Sequence, residues 1–159
     1  MMHSPRTRQL AQAGMTLLEL VIACSIMIVL ATAALPVARH SVQRQREAEL
    51  HRSLREIRNA IDRYKDMADR NLIRVEAGTE GYPPDLETLV KGVSLATAED
   101  RRVRFLRKIP IDPMTGRAEW GLRAVQDDPD LTSWNGKNVF DVYSLSIGIA
   151  SDGTRYADW

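Results

Sequence analysis

The sequence predicts an α+β chain: one long N-terminal helix followed by a small antiparallel sheet. Three observations lead there. An apolar run fills Met15–Ala38. A stretch without Gly or Pro follows it, "SVQRQREAELHRSLREIRNAIDRYKDMADRNL", and sets Leu50, Leu54, Ile57, Ile61, Tyr64 and Ala68 at alternating spacings of about four and three. The remainder breaks into short apolar pieces punctuated by Gly, Pro, Asn and Asp.

The helix is expected to have two halves. Residues 15–38 are about long enough to cross a bilayer, which takes roughly 20 apolar residues. Residues 39–72 carry the apolar stripe on one face and Arg, Glu, Asp and Gln on the other, as in a helix packed on its own sheet. Pro36 sits between the halves, where its missing N–H bends or loosens a helix. One carboxylate, Glu19, interrupts the apolar half. A charge inside a bilayer is costly, so Glu19 either lies at an interface or has a partner.

The start of the chain admits three readings. "MMHSPRTRQLAQAG" is short and basic through Arg6 and Arg8. With the run after it and the A-x-A of Ala31–Ala33, it reads as a secretory signal, although Glu19 weakens the apolar core of such a signal. It also reads as a plain anchor, which Arg39, Arg44 and Arg46 on the far side leave without a clear orientation. The third reading places a processing site between Gly14 and Met15.

Residues 73–159 read as the globular part. "YPPDLETLVKG" has Pro at the first turn, Asp85 at the start and Gly92 as a stop, which predicts a short helix. "VSLATAEDRRVRFLRKI" is expected to hold another short helical piece, and "PIDPMTG" a turn. "AEWGLRAV" and "VFDVYSLS" read as strands, with Asn135–Gly136 as a turn signal between them. "ASDGTRYADW" predicts an Asp152–Gly153 turn leading into a short last strand.

The chain has 159 residues and a net charge of +1, so the charge balance gives no argument for nucleic acid, and no nucleic-acid motif is recognised. The lone Cys24 excludes a disulfide framework and reads as a small residue in a packed helix. His3, His40 and His51 form no metal-ligand spacing, and no phosphate loop or nucleophile motif is present. An enzyme is therefore not expected. Asp127, Asp128 and Asp130 read as a solvated loop.

"G-M-T-L-L-E-L" resembles the type IV prepilin signature: a basic leader ending in Gly, an apolar first mature residue, Thr, two apolar residues and Glu. The resemblance implies a leader, residues 1–14, cut off after Gly14 by a membrane prepilin peptidase, and N-methylation of Met15. Met15 stands where the family usually has Phe. The resemblance also implies a type IV pilin-like fold, a helix kink at Pro36, and a Glu19 that pairs with the Met15 amine of a neighbouring subunit. "YPPDLETLV", "FLRKIPIDPMTG", "FDVYSLS" and "DGTRYADW" are similar to the major pseudopilins of type II secretion. Those proteins polymerise with themselves and with other pseudopilins on an inner-membrane assembly platform, and their globular part lies in the periplasm. The filament drives export through an outer-membrane secretin. Their C-terminal loop binds calcium; here the tail is shorter, leaving Asp152 and Asp158 as candidate ligands beside a simple hairpin reading. The alternatives are a type IV pilus subunit, disfavoured by the missing cysteine pair, and a membrane-anchored periplasmic binding module.

Overall fold

The computed structural model describes residues 16–128 and 133–159, and the side chains of residues 33–40 and 99 lie outside that description. The fold is α+β. A long helix, α1 (Leu17–Asp69), is followed by a short helix, α2 (Leu86–Lys91), and by β1 (Val93–Leu95), β2 (Ala98–Val103), β3 (Gly121–Arg123) and β4 (Asp141–Tyr143). A 3-10 turn, Tyr156–Asp158, closes the order. The chain divides into two compact units, residues 1–41 and 42–159.

In the second unit the apolar stripe does what its spacing requires. Leu50, Leu54, Ile57, Ile61, Tyr64 and Ala68 are all buried, with Ala60 between them. They form one cluster with Leu89 of α2, Trp120, Val139 and Val142. Each Leu or Ile so buried contributes roughly 1.5–3 kcal/mol relative to exposure. The globular unit therefore includes the second half of α1 rather than beginning after it. The helix ends by a Schellman motif: Leu72 N–H bonds to the Met67 carbonyl, and Asn71 N–H to that of Ala68, each at 2.9 Å. Asn71 sits at φ 55, the left-handed cap position that Asn tolerates.

The expected short helix forms as α2. The Asp85 carboxylate caps it, accepting from Thr88 N–H at 2.6 Å and from the Thr88 hydroxyl at 2.7 Å. Gly92 ends it at φ 82, ψ 161. That conformation is essentially confined to Gly. A Cβ there would lie 2.6 Å from the main-chain oxygen of Val103.

Three expectations need correction. The segment after Gly92 is not helical but an antiparallel hairpin of β1 and β2, with Val93 opposite Val103. Main-chain groups released at the end of α1 hold it: Ala96 N–H bonds to the Leu72 carbonyl at 2.9 Å. The single sheet is instead two separate two-stranded pairs, β1–β2 and β3–β4. The last strand is a single bridge between Ile149 and Arg155 followed by the 3-10 turn. Both turn signals hold, with Gly136 at φ 76 and Gly153 at φ 90.

Gly92→Ala is expected to lower the unfolding free energy by about 2–3 kcal/mol through backbone strain and the contact with Val103. Gly116→Ala, at φ 73 with open space around it, is expected to cost only about 1 kcal/mol. Urea unfolding of both variants checks the difference; equal losses would remove the close approach from the explanation.

Candidate functional site

The first part of α1 is an apolar surface. Leu17, Leu18, Ile26, Met27 and Leu30 are each more than half exposed. Its hydroxyls are turned back onto the helix: Ser25 donates to the Val21 carbonyl at 2.7 Å and Thr32 to that of Val29 at 2.8 Å. This removes their polarity from the helix surface, the usual answer to an apolar surrounding. Among the described residues no helix is long and apolar enough to cross a membrane. The apolar run of the sequence extends past the described side chains, to Met15 on one side and Ala38 on the other.

Thr16 opens the helix. Its hydroxyl accepts from Glu19 N–H at 3.3 Å and its carbonyl from Leu20 N–H at 3.1 Å. Thr16-x-x-Glu19 therefore has capping-box spacing, which the sequence reading passed over. Glu19 lies in the first turn of α1, where the helix dipole favours a negative charge. It is exposed, and its carboxylate has no partner among the described residues. Gly14 and Met15, the residues of the expected processing site, lie outside the described residues. The backbone of Pro36 lies within α1; its side chain is outside the description.

A second polar cluster fixes the C-terminal segment to α1. Glu47 is only 7% exposed. Its carboxylate accepts from Ser151 N–H (2.8 Å), the Ser151 hydroxyl (2.6 Å), the Tyr156 hydroxyl (3.0 Å) and Gln43 Nε2 (3.0 Å). Burial alone raises its pKa, but the bonds from Ser151, Tyr156 and Gln43 outweigh it, and the net position is below the usual 4.5. Close by in sequence, His51 stacks on Trp159 at 4.1 Å, and Arg58 donates to Asp141 at 2.7 Å and to the main-chain oxygen of Trp159 at 2.7 Å.

The two candidate calcium ligands already have protein partners. Asp152 accepts from Thr154 N–H (2.9 Å) and its hydroxyl (2.7 Å), closing its own turn. Asp158 takes a two-pronged contact from Arg155 at 3.0 Å. Asp127 accepts from Ala124 N–H at 2.8 Å. Among the described residues no group of three or more His, Cys, Asp or Glu could hold a metal ion. Asp130 lies outside the described residues.

The motifs "IDPMTG" and "FDVYS" meet in space. The Asp112 carboxylate, fully buried, accepts from the Ser144 hydroxyl at 2.6 Å and from Met114 N–H at 2.7 Å. Asp141 of the same "FDVYS" motif holds Arg58. No family model, no curated protein and no solved structure matches the chain.

Because its folded pKa is lowered, Glu47 contributes stability that is full above about pH 4.5 and is lost as pH falls through the folded value. Glu47→Ala is expected to cost about 1–3 kcal/mol at neutral pH. The unfolding free energy of Glu47→Gln should fall less steeply between pH 6 and 3 than that of the parent chain. Identical slopes in denaturant titrations would assign the acid sensitivity to other carboxylates. Added calcium is expected to leave the thermal midpoint unchanged; a rise of several degrees would restore Asp152 and Asp158 as ligands.

Proposed function

We propose that the chain is a structural subunit of a type II secretion pseudopilus. One observation carries the reading: "G-M-T-L-L-E-L" stands directly before an apolar helix whose described side chains face outward and which continues into the amphipathic spine of a small α+β unit. In this reading the peptidase removes residues 1–14, Met15 becomes the methylated N-terminus, and the apolar helix holds the subunit in the inner membrane with its globular unit in the periplasm. On assembly the apolar helices bundle, and Glu19 of one subunit neutralises the Met15 amine of the next. A buried charge is tolerated when it is closely paired, and the amine and the carboxylate are about one helical turn apart along the chain. The filament would then push exported proteins toward a secretin. In this reading the chain has a type IV pilin-like fold.

Intact mass and N-terminal mapping of the protein from native membranes test the processing. A chain beginning at Met15 with one added methyl group is the expected result; a start near Ala34 or at Met1 would sink it. A bulky residue at Gly14 should leave the leader attached.

The role of Glu19 has its own test, because capping-box spacing offers it a competing structural role. Gln serves the capping box as well as Glu but carries no charge. Glu19→Gln is therefore expected to insert and be cleaved normally yet polymerise poorly, as is Glu19→Ala. Normal filaments from Glu19→Gln would reduce Glu19 to a helix cap.

A further inference from the structure

A basic groove lies along one side of the globular unit, and neither the apolar helix nor the Glu19 pairing uses it. The stretch Arg101–Lys108, "RRVRFLRK", contains no acidic residue although the whole chain is close to neutral. Two adjoining concavities run between α1 and the segment that follows β2. One, of about 550 Å³, is lined by Arg52 and Lys108 with Ala48, Pro110 and Ile111. The other, of about 460 Å³, is lined by Arg63, Arg104 and Arg107 with Phe105. Glu56 borders both, and Glu49 borders the first.

The five cations are exposed, and none forms an ion pair among the described residues. Arg63 is held in place by donating to the Phe105 carbonyl at 2.8 Å. Elsewhere on the unit cations do find carboxylates: Arg58 with Asp141, Lys91 with Glu87, Arg155 with Asp158. Glu49 and Glu56 balance Arg52 and Lys108 in the first concavity, so the positive excess lies in the second, where Arg63, Arg104 and Arg107 face Glu56 alone and favour an anionic occupant.

The shape narrows the occupant. The lining extends along α1 from Gln45 to Arg63, about 27 Å at the helical rise. That length accommodates about eight residues of extended chain. The surface is concave, whereas a lipid surface is flat. Its floor is partly apolar, with Ile111 56% exposed beside Lys108.

We infer that this groove binds an extended acidic segment of a partner protein. The inference does not rest on the filament reading. Full-length protein in uncharged detergent micelles is titrated against a fluorescent peptide of about eight alternating Glu and Ala residues, with the Gln-for-Glu peptide as control. The Glu peptide should bind at least tenfold more tightly at low salt, and the difference should vanish at high salt. Arg104→Glu with Arg107→Glu should weaken it at least tenfold, while Lys137→Glu, outside the groove, should have little effect. Lys108→Glu alone serves if the double variant does not fold, with a several-fold loss expected. Equal binding of the two peptides, or binding indifferent to these reversals, overturns the inference. Displacement by inorganic phosphate at equal charge would make the groove a general anion site. Tighter binding of a thymidine oligonucleotide would make it a nucleic-acid site, and self-association abolished by the reversals would make the occupant a second copy. Each of these also overturns the acidic-peptide assignment.

Discussion

The globular unit depends on a single stripe of side chains. Neither two-stranded pair could stand alone in water, since a lone hairpin buries too little to offset the entropy of ordering it. Both are stable because α1 offers a rigid apolar ridge, from Leu50 to Ala68, on which α2, Trp120, Val139 and Val142 collect. The helix is in turn held helical there by that contact, because packing of an apolar face outweighs intrinsic propensity. The interdependence makes α1 the common element of everything C-terminal to it.

Polar joints then fix how loops seat on the ridge. Three carboxylates do most of this. Glu47 gathers the C-terminal segment, Asp112 ties the "IDPMTG" turn to Ser144, and Asp141 holds Arg58. Glu47 and Asp112 are buried and bonded through both oxygens, the condition under which a buried carboxylate strengthens a fold. They also join segments far apart in sequence, so long loops are specified without long strands.

Local signals were legible in the sequence and long-range pairings were not. The stripe at alternating four and three spacing, the Asp85 cap, the Gly92 stop and the Asp152–Gly153 turn each follow from residues adjacent in the chain. "VSLATAEDRRVRFLRKI" misled because its charged residues suit a helix equally well, and its strand state depends on Leu72 and Arg74 supplying main-chain partners. The strands in "AEWGLRAV" and "VFDVYSLS" shrink to three residues each because Asn138 and Asp112 take the flanking Val125 and Ser144 into side-chain bonds. Glu47 was one glutamate among many on a charged helix; only the fold reveals that Ser151 and Tyr156 close over it. The basic groove is hidden in the sequence because net charge conceals its distribution. Of the candidate site, the prepilin-like signature is legible in the sequence, and so is the capping-box spacing of Thr16-x-x-Glu19, whose Thr16 hydroxyl caps the Glu19 N–H.

The inward-turned hydroxyls of Ser25 and Thr32 have a consequence for any helix that lies against this segment. An apolar rod stripped of polar marks can slide and rotate against a neighbour at little cost, because one aliphatic contact replaces another. On the described part of the apolar segment, Glu19 is the single charged landmark. A partner that recognises it acquires a fixed axial register from one point, and the remaining surface stays free to slip whenever that point is released.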